Sequence, residues 1–226
     1  MLESGFEIRR RRSATGWTVS TVERPVVAAF DVDKTLTTRD SVVPFLLVVR
    51  SRSLGRMLGA VGPVIAAGAR RDRDRVKALV SEVVFAGRRI AEIEPLATRH
   101  AERIHERWLR ADTAGRLRWH LDSGHRVVLV SASYELYLAR LGELLGVDAV
   151  LGTRLIERDG VLTGDIDGQN CRGPQKVDRL HRWLAEQAGG RERVEVWAYG
   201  DSAGDRELLA DADRAQLVSG PITRIP

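Results

Sequence analysis

Four short stretches carry side chains whose types and spacing could do chemistry. Asp31-Val32-Asp33-Lys34-Thr35 sets two carboxylates two residues apart, directly after a dense apolar run from Val26 to Phe30. Carboxylates beside a buried segment are costly unless a cation or hydrogen bonds compensate them. Magnesium compensates them well, because it is hard and takes one or two carboxylates while leaving room for phosphate oxygens. A second apolar run ends in Val130-Ser131-Ala132-Ser133. There the Ser131 hydroxyl and free backbone N–H groups, Ala132 included, would cradle an anion at a helix start. Lys176 follows Arg172-Gly173-Pro174-Gln175 at the head of a later helix and could neutralise a phosphate as a compact point charge. Finally, Tyr199-Gly200-Asp201-Ser202-Ala203-Gly204-Asp205 adds two carboxylates four residues apart. Asp201 could supply a metal oxygen, and Asp205 could orient Asp201 or a metal-bound water. Each stretch alone also reads as ordinary structure: a polar turn, a serine N-cap, a solvated lysine, a capped loop.

These residues need elements to position them. Val26 to Phe30 reads as a strand buried on both faces, as in a parallel sheet. Residues 41 to 123 look helical, and a second buried strand is predicted from Arg126 to Val130, ending in Ser131. The pattern then predicts a helix over Glu135 to Leu145, a strand over Ala149 to Leu155, and a hairpin around Asp159-Gly160 running through Leu162 to Ile166. A helix over Gln175 to Gln187, a strand over Val194 to Tyr199, a helix over Asp205 to Ala210 and a strand over Gln216 to Ser219 complete the series. Strand and helix in alternation predict an α/β, Rossmann-like, doubly wound and mostly parallel sheet. Ligands of such sheets bind beyond the carboxyl ends of the strands, where Asp31, Ser131 and Asp201 would converge.

Composition narrows the class. The chain has 226 residues, 43% apolar and 30% charged, an ordinary balance for one globular core with room for a small second module. Its formal net charge of +5 is carried almost wholly by arginine, with lysine only at 34, 77 and 176. Basic charge without interleaved aromatics does not support a nucleic-acid partner, and it would suit phosphate esters or an anionic lipid surface. The single cysteine, Cys171, excludes an internal disulfide and fits a reducing cytosol. No apolar run approaches the ~20 residues of a spanning helix. Residues 1–24 read as a loose basic leader.

The four stretches in this order resemble the four motifs of the haloacid dehalogenase-like hydrolases: Asp-x-Asp-x-Thr, a strand-end Ser, a Lys and Gly-Asp-x-x-x-Asp. The resemblance covers about residues 26 to 218. It is nearest to subfamily IB, which carries a helical cap between the first and second motifs. The run from Leu162 to Cys171 leading to Lys176, and the run from Ala198 to Arg206, also resemble that group. The resemblance implies a core of residues 25–40 and 111–226, with residues 41–110 as the inserted helical cap. It further implies a magnesium-dependent phosphomonoester hydrolase. Asp31 would be the nucleophile that forms an aspartyl-phosphate, and Asp33 the general acid and base. Asp31, the Asp33 backbone carbonyl and Asp201 would hold Mg2+, with Asp205 behind them. Ser131, Ala132 and Lys176 would hold phosphate oxygens.

Substrate choice should lie in the cap. Asp40 falls where phosphoserine phosphatases place an acidic residue that meets the substrate amine, whereas Gly204 stands where they tend to have asparagine. Residues Asp40 to Leu46 resemble phosphatases of lipid-like substrates such as phosphatidylglycerophosphate. Two apolar stretches, Val42 to Val49 and Met57 to Ala69, are flanked by Arg50, Arg52, Arg56, Arg70 and Arg71. Such stretches could rest on an anionic membrane face and admit an acyl chain, or simply form the inner faces of cap helices. The expected substrate is a small-molecule or lipid phosphate ester. The expected location is the cytoplasm, with peripheral contact at the inner membrane face through the cap. A phosphotransferase or mutase using the same aspartyl-phosphate is the competing activity, and a non-catalytic phosphate-binding protein a weaker one. Oligomeric state is not legible in the sequence.

Overall fold

The computed structural model describes residues 12–13, 16–17, 24–50, 72–220 and 222. In chain order its elements are β1 (Arg12–Ser13), β2 (Gly16–Trp17), β3 (Val26–Phe30), α1 (Val42–Val49), α2 (Arg73–Phe85), β4 (Arg88–Arg89), α3 (Ile90–Arg107) and α4 (Ala111–Asp122). They continue as β5 (Arg126–Tyr134), α5 (Glu135–Leu145), β6 (Ala149–Thr153), β7 (Leu155–Arg158), β8 (Val161–Ile166), α6 (Pro174–Ala188), β9 (Glu195–Gly200), α7 (Arg206–Asp211) and β10 (Arg214–Leu217). The apolar stretch Met57 to Ala69 and nearly all of the leader lie outside the described residues. Of the leader, β1 and β2 pair antiparallel.

Five strands form one parallel sheet in the order β10-β9-β3-β5-β6. From β3 the chain first builds outward through β5 and β6, then returns to add β9 and β10 on the other side. The order therefore reverses at β3 and β9, and the crevice beyond their carboxyl ends is where such a sheet offers a site. Alternate residues of each strand enter opposite layers. Ala28, Phe30, Leu129 and Tyr199 pack with α1 to α5, while Val27, Ala29, Val130 and Ala198 pack with Leu180, Leu184 and Leu208 of α6 and α7. Apolar burial on both faces explains why the strands read as continuous apolar runs.

The segment expected to be helical over 41 to 123 is broken by β4, which pairs with β8, and three further differences concern strands. The strand expected over Ala149 to Leu155 breaks after Thr153, and Leu155 begins β7 in a separate antiparallel sheet of order β4-β8-β7. The last strand lies two residues earlier than expected, aligned on β9. The third concerns Ser131. It lies within β5, which runs on to Tyr134, so Ser131-Ala132-Ser133 is not a helix cap, and α5 starts only at Glu135. Pairing of Tyr134 with Thr153, across an irregularity after Val130, keeps this stretch extended.

The hairpin turn falls at Asp159 and Gly160, both with positive φ (52° and 75°), as a two-residue turn between twisted strands demands. In β8, Gly164 lets α2 pass close by: a Cβ there would stand 2.8 Å from Glu82 Cα. Among the described residues, no helix is long and apolar enough to cross a membrane.

In α4, His120 is fully buried, with Nε2 2.9 Å from the Tyr199 hydroxyl and Nδ1 2.8 Å from His125 Nδ1. Burial first, then the neighbouring His125 and Arg116, push its pKa down to about 3. The unfolded chain therefore takes up a proton near pH 6.5 that the folded chain refuses. The contribution of His120 to stability should be level above about pH 6.5 and fall as the pH drops below it. Between pH 8 and pH 4 the thermal midpoint of the wild type relative to His120→Phe should hold level above about pH 6.5 and fall below it. Parallel curves for the two proteins would rule His120 out as the source of this fall.

Candidate active site

The site is built at the reversal of the sheet order. Asp31 leaves β3 with its backbone N–H donating to the Tyr199 carbonyl of β9 at 2.9 Å. That bond holds the ends of the two central strands in register, so Asp31 and Asp201 emerge side by side. Oxygens of Asp31, Asp201 and Asp205 all lie within 4.8 Å of one another. Lys176, projecting from the first turn of α6, donates to Asp31 Oδ1 at 2.6 Å and to Asp205 Oδ1 at 2.5 Å. Lys176 and Asp205 are almost completely buried. Asp205 also accepts the backbone N–H of Ser202 at 3.0 Å and its hydroxyl at 2.8 Å. Gly200 permits this closeness, since a Cβ there would stand 2.5 Å from Asp205 Cβ.

Three carboxylates around one ammonium leave an excess of negative charge. Burial, aided by Asp205 and Asp33 and opposed by Lys176, pushes the Asp31 carboxyl up to about 7. Burial and the Asp205 charge also raise Asp201. For Lys176 burial acts downward, but Asp31 and Asp205 outweigh it and lift the ammonium above its usual range. An all-oxygen donor set with uncompensated negative charge fits a hard divalent cation better than a soft one.

Asp33 belongs to a separate group. Its Oδ1 accepts the Ser41 backbone N–H at 2.8 Å and the Ser41 hydroxyl at 2.5 Å, and its Oδ2 accepts the Ser133 hydroxyl at 2.8 Å. Ser41 Oγ lies 2.8 Å from the Tyr137 hydroxyl, and the Ser41 carbonyl lies 2.9 Å from His100 Nε2. Burial raises the Asp33 pKa, while the bonds from Ser41 and Ser133 act downward. The loop between the two aspartates and α1 is stapled by Thr37, whose Oγ1 accepts the Lys34 N–H at 3.2 Å and donates to the Arg39 carbonyl at 2.6 Å. Lys34 there adopts φ 63°.

A cavity of about 370 Å³ opens over these groups. Asp31, Asp33, Asp40, Ser131, Ala132, Lys176, Asp201 and Asp205 all line it, so the structure brings together every residue singled out from sequence. Their placements differ in detail from expectation. Asp205, expected behind the metal ligands, lies within 4.8 Å of Asp31 and Asp201 with Oδ1 bonded to Lys176 and Oδ2 to Ser202. Ser131 is buried, and its Oγ accepts the Ser133 N–H at 3.2 Å. Asp40 caps α1, accepting the Val43 N–H at 3.0 Å. Sequence reasoning missed Ser41, Ser133 and Tyr137 around Asp33. It also passed over Lys77, whose ammonium donates to the Ala132 carbonyl and lies 4.4 Å from the Tyr134 ring centroid. Lysine rarity, the signal that singled out Lys176, applied equally to Lys77.

Comparison with known proteins agrees with this geometry. The family model described as haloacid dehalogenase-like hydrolase matches residues 28–210. Protein CicA of Caulobacter vibrioides is 37% identical over 194 residues, covering 84% of each chain. A "probable phosphatase" of Mycobacterium tuberculosis is 27% identical over 199 residues, covering 85% of this chain and 68% of its own. Among solved structures, a protein of unknown function from Bordetella pertussis Tohama I superposes with a TM-score of 0.73 at 22% identity, covering 85% of this chain and 89% of its own. A phosphoserine phosphatase without ligand superposes with a TM-score of 0.57 at 18% identity, covering 85% of each chain.

Proposed function

This chain belongs to the haloacid dehalogenase-like hydrolases, and we propose that it is a magnesium-dependent phosphomonoesterase working through an aspartyl-phosphate on a small or lipid-linked ester. The observation that carries this reading is the division of the carboxylates into two groups. Asp31, Asp201 and Asp205 converge around Lys176, while Asp33 stands apart, held by Ser41 and Ser133.

Asp31, the Asp33 backbone carbonyl and Asp201 would hold the magnesium ion, with Asp205, bonded to Lys176 and Ser202, behind them; the ion would offset their excess charge and polarise a phosphate oxygen. An Asp31 oxygen attacks phosphorus as the bond to the leaving oxygen breaks, giving the acyl phosphate. Asp33, its carboxyl raised by burial, gives its proton to that leaving oxygen. As a carboxylate it then takes a proton from water, which attacks phosphorus and releases Asp31 and inorganic phosphate. Ser131, the Ala132 backbone N–H and Lys176 would hold the oxygens of the transferring group and share its charge through hydrogen bonds. Positioning and charge neutralisation carry most of the rate in phosphoryl transfer, which accounts for so many charges within one cavity.

The test is phosphate release from a panel of phosphomonoesters that includes phosphoserine and phosphatidylglycerophosphate. Release should require magnesium, stop on addition of EDTA, and return when magnesium is restored in excess. Release that persists in EDTA would contradict the role given to the carboxylate trio. Release that appears only on adding a second alcohol would mark a phosphotransferase instead.

A further inference from the structure

Lys77 has no part in the chemistry above, yet it is held with care. It extends from α2 into the cavity, half-buried, with its ammonium donating to the Ala132 carbonyl and lying 3.3 Å from Thr153 Oγ1. Two of its three N–H donors are used in these bonds, and the Tyr134 ring, its centroid 4.4 Å away, adds a neutral cation–π contact but no counter-charge. Among the described residues it forms no ion pair with a carboxylate, although charged groups drawn out of water are usually paired. Burial, only partly opposed by Asp33, Cys171 and more distant carboxylates, lowers its pKa to about 8. A bound anion would relieve that cost.

Its position tells which end of a substrate it would meet. The charges that act most strongly on Lys176 are those of Asp31 and Asp205, on the nucleophile's side. Lys77 instead donates to the carbonyl of Ala132, the neighbour of Ser133, whose hydroxyl donates to Asp33 Oδ2 at 2.8 Å, so it stands on the Asp33 side. Beyond Lys77, the cavity is walled by Val76 and Val80 of the same α2 stripe and by Val42, Val43 and Leu46 of α1. A leaving alcohol seated beside Asp33 would therefore have apolar side chains around it and the half-buried Lys77 within reach, while the other cations of the lining on that side, Lys34 and Arg73, are exposed.

We propose, on the phosphomonoesterase reading, that Lys77 is a specificity-determining residue: the alcohol part of the substrate has an apolar body and carries a second anionic group, which Lys77 binds. This narrows the substrate class and makes an amine on the substrate unnecessary.

The test uses two esters of matched size and leaving group, 4-(carboxymethyl)phenyl phosphate and 4-ethylphenyl phosphate, with the corresponding phosphonates as ligands that do not turn over. A charge-assisted hydrogen bond corresponds to a preference of roughly tenfold to a hundredfold. That preference for the carboxylated ester is expected in kcat/KM of the wild type. It should fall to near one in Lys77→Met and recover in Lys77→Arg; if the methionine variant does not fold, Lys77→Gln replaces it. A ratio near one in the wild type overturns the proposal. So does a ratio kept in the variant, or an equal loss on both esters, which would put Lys77 on the phosphate or in the fold. Binding of the two phosphonates by calorimetry reads the same ratio independently of turnover. Carboxylate-selective binding without hydrolysis of any ester would uphold Lys77 and sink the phosphatase reading. Failure of both phosphonates to bind would sink both.

Discussion

Asp31→Asn is expected to lower phosphate release by roughly 10⁴-fold or more, to the limit of detection, with the fold intact. The amide keeps the shape of the side chain but cannot serve as the nucleophile, so no acyl phosphate forms. Its effect on stability should be small at neutral pH. The Asp31 carboxyl, pushed up to about 7, has a folded-state pKa above its unfolded value. What it contributes to stability is fully present below the unfolded pKa and is lost as the pH rises through about 7. In metal-free protein at pH 8 the charged Asp31 is therefore a burden that asparagine lacks, and Asp205 remains to pair Lys176. Thermal midpoints at pH 8 in EDTA should show the variant no less stable than the wild type. Measurable turnover by a folded Asp31→Asn protein, beyond what deamidation back to aspartate explains, would remove Asp31 from the nucleophile's role.

The second large effect is expected from Asp33→Asn, a loss of roughly 10²- to 10⁴-fold. Its signature lies in the dependence on leaving group. An alkyl phosphate needs a proton on the departing oxygen and should lose the most. A 4-nitrophenyl ester departs as a stabilised anion and should lose much less in the first step. The acyl phosphate, deprived of the base that activates water, should then accumulate and give a burst of nitrophenol. Equal losses on both esters without a burst would show that Asp33 acts through its bonds to Ser41 and Ser133, as a structural clasp, and not through its proton.

The partners of Asp33 show where sequence reading stops. Ser41 and Ser133 are 92 residues apart, and their hydroxyl oxygens meet at 3.5 Å only because α1 packs against the end of β5. Tyr137 joins them from the first turn of α5. Neither spacing nor hydropathy encodes which way a serine hydroxyl will turn. Ser131 fails for a related reason. Local chemistry around Ser131 and Glu135 favours a helix start, but β6 supplies a pairing partner for Tyr134 and keeps the strand extended. Lys77 could be placed only once α2 lay across the mouth of the cavity.

The sequence by itself determined the strands that carry Asp31 and Asp201, because a segment buried on both faces must be apolar throughout and must shed its polar residues at its end. It determined most helices through their spacing, and the left-handed C-cap at Gly146 through glycine's freedom at positive φ. It placed Lys176 at the start of α6. Strand alternation also led to the expectation that Asp31 and Asp201 converge, but tertiary structure alone decided the strand order that sets β9 beside β3. It alone decided that Asp205 joins the carboxylate trio and that Lys77 enters the cavity from the opposite wall. The physical reason is range: burial and backbone preference act over a few residues and leave a periodic trace. Strand order, helix docking and side-chain direction are settled between segments far apart in the chain, where no local pattern records them.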